Sequence, residues 1–215
     1  MRIAVVGATS QTGRELISQA LAAGHEVVAY ARRPEAVNLA PRLSIVGGQI
    51  DEVDKLSKAF TGCDAIVLIL GWKIGQPFVP LYSIAVPAVI AAANKVGVKR
   101  VIVQSVLGAG NTFRNTRHPY RLGCHTFLRT RNEDHHIGES QLIGSGLNWT
   151  TLHPGPLFNG QRTASPTIID AASGQKMPGA PRTQRADVAA AMLNMIDDSA
   201  SFGKQMLICS TQSRK

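Results

Sequence analysis

The sequence predicts an α/β fold, a single domain built on a doubly wound parallel sheet. Apolar runs rich in β-branched residues alternate along the chain with helical stretches. The apolar runs are continuous, which is typical of strands covered by helices on both faces. Each of the first four helical stretches ends at or just before a glycine, a common helix stop, and a strand follows. Right-handed crossovers then place helices on both faces of the sheet.

The elements follow in order from these patterns. Six strands are predicted from continuous apolar runs: RIAVVG at 2–7, EVVAYAR at 26–32, LSIVGG at 43–48, DAIVLILG at 64–71, RVIVQS at 100–105 and NWTTLHP at 148–154. Four helices are predicted between them, at 12–23, 53–60, 80–96 and 133–143. A helix near 185–196, which begins RADVAAAML, and a last strand near KQMLICS complete the chain.

Length and composition are typical of a soluble single domain. The chain has 215 residues, 44% of them hydrophobic, and a mean hydropathy of +0.02. No apolar run reaches the about 18 residues needed to span a bilayer. The sequence starts on a strand without a secretory leader, and its three cysteines are far apart. We therefore expect a cytoplasmic protein that does not contact membranes, with a single domain over residues 1–215.

The net charge of +9 predicts an acidic partner. Nucleic acid, a phosphorylated cofactor and an anionic small substrate all satisfy this requirement, and charge alone does not choose among them. No nucleic-acid-binding module is recognisable, and aromatic residues are only 5% of the chain. We therefore expect a small-molecule partner, an anionic acceptor among the candidates, and no nucleic acid.

The stretch VVGATSQTG, residues 5–13, joins the first strand to the first helix. A glycine at the sharp turn and another in the first helical turn are typical of a nucleotide-binding loop. The free N–H groups of the helix start favour a pyrophosphate there. The alternative is a strand-to-helix corner with no ligand. The expected phosphate-binding residues are Gly7, Thr9, Ser10, Gln11, Thr12 and Gly13.

Arg32 and Arg33 stand at the end of the second strand, about twenty residues after the glycine loop, where an acidic residue would bind the ribose of NAD. A guanidinium makes charge-assisted bonds to a 2′-phosphate, whereas a carboxylate repels it. These two residues predict NADP(H) in preference to NAD(H). The alternative is a pair of solvated arginines before Pro34.

Several segments together resemble a known family: IAVVGATSQTGRELI, EVVAYARRPE, DAIVLILG, VKRVIVQS and SGLNWTTLHPGPL. They are similar to the atypical short-chain dehydrogenase/reductases of the NAD(P)H-binding type, which include NmrA-like proteins and the flavin reductase/biliverdin-IXβ reductase type. The resemblance covers most of residues 2–160 and, more weakly, RADVAAAML. It implies an NAD(P)-binding Rossmann fold.

The resemblance also implies contacts for the rest of the cofactor. Ser10 replaces the middle glycine of the family loop, and Gly48 replaces the family aspartate near the adenine, which leaves Gln49 and the backbone to hold that base. Residues following the fourth, fifth and sixth strands are expected near the nicotinamide half. They are Leu70, Gly71, Ser105 and Pro154.

The common proton donor of the superfamily, a tyrosine with a lysine four residues on, is missing. Four residues after Tyr30, Tyr82 and Tyr120 stand Pro34, Val86 and Cys124. This argues against an ordinary alcohol dehydrogenase or sugar epimerase. A flavin or quinone acceptor spreads charge over a conjugated ring and takes its proton from solvent, so positioning carries most of the catalysis.

Ser105, at the carboxyl end of the fifth strand, is the candidate catalytic residue, and the alternative is a serine that merely ends a strand. In the flavin reductase relatives a histidine follows the sixth strand. Here Pro156 takes that place and His153 lies three residues earlier, so His153 is a candidate substrate contact.

The segment 111–131 holds five arginines, two histidines and no acidic residue. We expect long loops at about 106–132 and 155–185 to cover the substrate. Arg114, Arg117 and Arg121 are candidate contacts for an anionic substrate, and the alternative is a solvated basic loop.

His135 and Glu139 share a helix face, but two ligands without a third do not predict a metal site. The sequence thus predicts an NADP(H)-dependent oxidoreductase that passes hydride to a conjugated acceptor. The alternative is an NmrA-like redox sensor that binds the dinucleotide without catalysis.

Overall fold

The computed structural model describes residues 1–71 and 77–210. Residues 72–76 and 211–215, which the single-domain prediction includes, lie outside this range. The strands are β1 (Arg2–Val6), β2 (Glu26–Ala31), β3 (Leu43–Gly47), β4 (Ala65–Leu68), β5 (Arg100–Gln104), β6 (Asn148–Pro154), β7 (Leu157–Phe158), β8 (Thr167–Asp170), β9 (Thr183–Gln184) and β10 (Lys204–Cys209). The helices are α1 (Gln11–Ala22), α2 (Val53–Phe60), α3 (Tyr82–Val96), α4 (Tyr120–His125), α5 (Arg129–Ile143) and α6 (Arg185–Asn194).

Eight strands form the main sheet in the order β3-β2-β1-β4-β5-β6-β10-β8, and β7 and β9 form a separate ribbon. The strand order runs outward from β1 in both directions, through β2 to β3 on one side and through β4 to β5 and β6 on the other. This is the doubly wound topology, so the predicted fold class is confirmed. The wholly parallel sheet was wrong at one edge, because β8 pairs antiparallel with β10. β8 is short and half-exposed, so it lacks the continuous apolar run by which the other strands were recognised.

Helices cover both faces of the sheet. Helices α1 and α6 pack on one face, where Leu16 and Val188 meet Ile102 of β5. Helices α2, α3 and α5 pack on the other face, where Leu142 joins Val103 of β5. The carboxyl ends of the parallel strands meet at one edge, where α/β sheets bind ligands.

The segment 111–131, which we call the basic segment, contains helical turns, so its prediction as part of a long loop was wrong. It contains a 3₁₀-helix (Gly110–Asn115), α4 and the first turn of α5. Buried Thr112 and Asn115 anchor it, and the Asn115 Nδ2–H group donates to the Ala171 carbonyl at 3.1 Å. Buried polar side chains of this kind give no apolar period, which is why the sequence pattern missed these turns.

The second expected loop, 155–185, also contains short elements: β7, β8, a 3₁₀-helix (Ala171–Ser173) and β9. The carboxylate of Asp187 on α6 holds it by accepting from the N–H and the hydroxyl of Thr163, both at 2.8 Å. Across the ranges 1–71 and 77–210, helices long and apolar enough to cross a membrane are absent.

Candidate functional site

The turn after β1 can be made only with glycine. Gly7 has φ = 89°, and a Cβ there would overlap the Ile69 carbonyl oxygen. A Cβ on Gly13 would lie 2.5 Å from the Gly7 carbonyl oxygen and 2.8 Å from Ser10 Oγ. The Gly7 N–H group donates to the Tyr30 carbonyl at 3.1 Å, which ties the turn to β2. The two glycines therefore let the start of α1 approach β1 closely, and we call this turn together with the first N–H groups of α1 the cradle.

Ser10 is compatible with this cradle. Its φ of −67° is ordinary for a residue with a side chain, and its Oγ accepts from the Gly13 N–H group at 3.0 Å as the N-cap of α1. The first turn of α1 contains no acidic residue, so its free N–H groups remain favourable for an anion. Thr9 is half-buried and Gln11 exposed, whereas the Thr12 side chain is only 3% exposed and would have to contact a phosphate through its main chain.

Arg32 and Arg33 are exposed directly after β2, as expected for a pair that contacts a 2′-phosphate. A third guanidinium, which the sequence pattern did not single out, reaches the turn that follows them. Arg14, exposed on the first turn of α1, donates from Nη2 to the Ala36 carbonyl at 3.4 Å. Its position directly after Gly13 of the glycine loop was the sequence signal by which it could have been found.

Tyr30 explains the glycine at position 48. The Tyr30 hydroxyl donates to the Gln49 carbonyl at 2.6 Å, and a Cβ at Gly48 would overlap that hydroxyl oxygen. Burial, together with the charges of Glu52 and Asp51, raises the pKa of Tyr30 to about 12. The phenol thus fills the space into which an aspartate at position 48 would extend, and the exposed Gln49 side chain remains beside it.

Tyr82 of α3 holds the backbone that follows β4. Its hydroxyl accepts from the Leu70 N–H group at 3.2 Å and donates to the Leu70 carbonyl at 3.0 Å. Tyr82 is buried, and this burial raises its pKa. Leu70 is therefore fixed at the edge of the sheet, and Gly71 next to it is exposed.

Behind this edge lies a polar group that we call the Ser105 cluster: the buried residues Ser105, His135, Glu139 and His153, together with the half-buried Gln205. The Ser105 hydroxyl donates a short hydrogen bond to Glu139 and lies 3.2 Å from His135 Nδ1. Since Ser105 gives its proton to Glu139, its oxygen accepts from a His135 Nδ1–H group. Ser105 is fully buried and its hydroxyl is bonded to both Glu139 and His135, so its proton is already engaged within the protein.

The other side of Glu139 is also bonded. Its second oxygen accepts from Gln205 Nε2 at 3.0 Å, and its first lies 3.8 Å from His153 Nδ1. His153 Nδ1 donates to the Val106 carbonyl at 3.0 Å, and His153 Nε2 lies 2.8 Å from Thr151 Oγ1. Both ring nitrogens are thus engaged within the protein, and this argues against the predicted substrate contact of His153.

His135 is neutral near physiological pH. Burial lowers its pKa to about 3 against the opposite effect of the Asp134 charge, and His153 adds a smaller lowering. Its ring lies against the Tyr82 ring, with 3.8 Å between centroids. Burial raises the pKa of Asp134, but bonds from Ser83, Leu81 and Tyr82 hold it below the ordinary value. Asp134 thereby caps α3 and fixes it against α5.

The remaining predicted residues lie apart from the cradle. Pro154 is buried, and its carbonyl accepts from the Leu107 N–H group at 2.9 Å. Arg117 is exposed, Arg114 donates to the Ala171 carbonyl at 3.3 Å, and the Arg121 guanidinium lies over the Phe113 ring, 4.2 Å from its centroid.

A cavity of about 440 Å³ lies between the starts of α3 and α5. Its apolar walls come from Phe78, Pro80 and Ile137, and its charged lining comes from Arg129, Glu133 and Asp134. Within the part of the chain that the structure describes, no cluster of three or more histidine, cysteine or acidic side chains is arranged to hold a metal ion.

Comparisons with known proteins agree with this geometry. A family model described as NAD(P)H-binding matches residues 7–199. An uncharacterized chloroplastic protein of Arabidopsis thaliana is 29% identical over 174 residues, which are 76% of this chain, and the chain spans 62% of that relative's length.

Solved structures show the same fold. A short-chain dehydrogenase/reductase from Veillonella parvula, in complex with NADP, has a TM-score of 0.82 at 17% identity and covers 100% of this chain and 96% of its own. ChuY, an anaerobillin reductase from Escherichia coli, has a TM-score of 0.81 at 22% identity and covers 100% of both chains. At these identities the likeness concerns the fold.

Proposed function

The chain belongs to the NAD(P)H-binding family, and we propose that it is an NADP(H)-dependent oxidoreductase that transfers hydride to a small conjugated acceptor such as a flavin or a quinone. The observation that carries this proposal is the cradle at Gly7 and Gly13, where a Cβ would overlap neighbouring backbone and so keep the start of α1 away from β1. A pyrophosphate bound there meets the free N–H groups of α1 without an opposing carboxylate. Bound NADPH would supply the hydride.

Three arginines support NADP(H) over NAD(H). Arg32 and Arg33 follow β2, and Arg14 approaches the same segment from α1. Guanidinium groups bind a dianionic phosphate with two parallel hydrogen bonds, a geometry that lysine does not provide. The 2′-phosphate, present only in NADP(H), is the group that would occupy this site.

The tyrosines support a conjugated acceptor. Tyr30 and Tyr82 donate to main-chain carbonyls, and so does Tyr120, whose hydroxyl lies 2.9 Å from the Leu107 carbonyl oxygen. Burial raises the pKa of all three phenols, so none is prepared to give up a proton. An acceptor that delocalises the incoming charge needs no such donor. The description of the structurally similar ChuY as a reductase supports the same class of reaction.

Ser105 would then act as a positioning residue. Its hydroxyl connects Glu139 to His135 and so fixes the imidazole that lies against Tyr82. Tyr82 in turn holds Leu70, which the nicotinamide ribose would pass. This chain of contacts would keep the sheet edge rigid beneath the reacting ring.

The acceptor is expected on the basic side of the edge. Arg117 is exposed, and Arg129 lines the neighbouring cavity beside Phe78 and Ile137. The apolar walls of this cavity favour a flat molecule. Its charged lining combines Arg129 with two carboxylates, Glu133 and Asp134. An unchanged KM for a flavin phosphate in Arg117→Ala and Arg129→Ala variants would contradict this placement.

Two measurements test the function. Calorimetry with NADPH and NADH gives both dissociation constants, and the absorbance of NADPH is then followed with a panel of flavins and quinones. We expect tight NADPH binding and turnover of at least one acceptor. Tight binding without any turnover would favour the redox-sensor alternative. Binding of NADH alone would contradict the role of the three arginines.

A further inference from the structure

The last residue of β5 carries a buried polar atom that the protein leaves without a partner. Gln104 is 5% exposed, and its Oε1 has no hydrogen-bond partner among the described residues. An acceptor removed from water without a donor is costly, and such atoms in native proteins are usually met by a ligand or an ordered water. Gln104 Oε1 thus marks a place for a donor from outside the chain.

The surroundings of Gln104 are otherwise apolar. Because side chains alternate along a strand, Gln104 shares a face with Ile102, which packs with α1 and α6. Leu152 lies opposite Gln104 in the pairing of β5 with β6 and belongs to the same apolar cluster. Ser105 instead meets α5 on the other face. The polar cluster behind the edge therefore does not provide the missing donor.

Gln104 lies on the path that a dinucleotide would take. β4 alone separates β5 from β1, and the Gly7 turn follows β1 at the same edge of the sheet. With the pyrophosphate at the start of α1 and the 2′-phosphate beside Arg32 and Arg33 after β2, the other end of the molecule extends over β4 and β5. That end is the nicotinamide, whose carboxamide NH₂ is a donor.

We propose that Gln104 Oε1 accepts a hydrogen bond from the carboxamide NH₂ group of the bound nicotinamide and so fixes the orientation of the ring. This inference rests on the proposed dinucleotide function and deepens it by assigning a residue that reads the reacting half of the cofactor. Gln104 is a binding residue in this role, and no proton or electron passes through it.

The test compares NADP⁺ with its acetylpyridine analogue, in which a methyl group replaces the carboxamide NH₂. Dissociation constants are measured by calorimetry, so the result does not depend on turnover. We expect the wild-type protein to prefer NADP⁺ by about tenfold, the contribution of one buried hydrogen bond. The Gln104→Met variant, similar in volume but without an acceptor, should bind both molecules with the same dissociation constant.

Gln184→Met is the matched control, because Gln184 Oε1 is also buried without a partner but lies against Gly160 beside α6. This control should keep the wild-type preference. If Gln104→Met fails to fold, Gln104→Asn, which withdraws the amide oxygen by one methylene, should lose the preference instead.

Two results would overturn the inference while leaving the proposed function intact. One is a preference for NADP⁺ that survives both changes at position 104, and the other is equal binding of the two molecules by the wild-type protein. Failure of the wild-type protein to bind either molecule would overturn the proposed function itself.

Discussion

The two ends of β5 are both buried and both polar, yet they are built differently. At the amino end, Arg100 is 6% exposed, and its guanidinium donates to the Ile196, Met195 and Asn148 carbonyls and to the Thr150 and Ser201 hydroxyls, at 2.5–3.1 Å. At the carboxyl end, Ser105 meets a carboxylate and an imidazole. One end holds a cation among neutral acceptors, and the other holds a hydroxyl between two ionisable side chains.

This difference separates stability from function within a single strand. The partners of Arg100 come from β6, the end of α6 and the 3₁₀-helix Ser199–Ser201, so one side chain ties three elements together. Burial lowers the pKa of Arg100 to about 10, against the opposite effect of Asp198 and Asp197, and the group stays charged at neutral pH. The Ser105 cluster lies instead at the edge where α/β sheets bind ligands.

The largest expected effect comes from removing the guanidinium at the amino end of β5. Arg100→Met removes the five hydrogen bonds of a buried guanidinium and should lower the free energy of unfolding by about 3–5 kcal/mol. Urea unfolding measures the loss, and the dissociation constant of NADPH, measured well below the melting temperature, should stay within twofold of wild type. A loss below about 1 kcal/mol would show that the network is not structural.

The next effect concerns the carboxyl edge at β2. Replacing both Arg32 and Arg33 by alanine should weaken NADPH binding by about 2–3 kcal/mol, because charge-assisted bonds to the 2′-phosphate are lost. Both side chains are exposed, so stability should hardly change. Binding of NADH, which has no 2′-phosphate, is the control and should be unaffected. An equal loss for both dinucleotides would contradict the assignment.

A pH titration sharpens the comparison because His135 titrates and Arg100 does not in the acid range. The folded pKa of His135 is about 3 and the ordinary value is 6.5, so between these values the unfolded chain binds more protons. Stability from this group is therefore fully present above pH 6.5 and is lost as pH falls, by at most about 1.4 kcal/mol per pH unit. The slope of unfolding free energy against pH should flatten in His135→Gln. An identical slope would show that another group causes the loss.

The smallest effect is at Leu70. Tyr82→Phe removes the hydroxyl that bonds the Leu70 main chain and should cost about 1 kcal/mol of stability, with severalfold weaker NADPH binding. Tyr120→Phe is the matched control, because it loses a bond to the Leu107 carbonyl instead. Equal effects of the two changes on NADPH binding would argue against a special role of Leu70.

The elements and the cradle could be predicted from sequence because their signals are local. Continuous apolar runs marked the central strands, and Gly7 and Gly13 marked the turn. The Ser105 cluster could not be predicted, because α5 brings His135 and Glu139 to Ser105 from 30 and 34 residues away. Their shared helix face was visible in the sequence, but the identity of their partner was not.

Other long-range strand pairings and hydrogen bonds could not be predicted from the sequence for the same reason. Gly48 is explained only by the hydroxyl of Tyr30, which reaches it from the neighbouring strand. The antiparallel edge of β8 depends on pairing with β10, about 40 residues later in the chain. Local patterns do not contain such pairings.

If the carboxyl end of β5 serves the dinucleotide and the amino end serves the fold, a backbone amide NMR titration with NADPH should distinguish the two ends. We expect large shifts at residues 8–13, at Leu70 and at Ser105, and none at Arg100, Asn148 and Gly203. Equal or larger shifts at the Arg100 end, or saturation binding without shifts at residues 8–13, would contradict it.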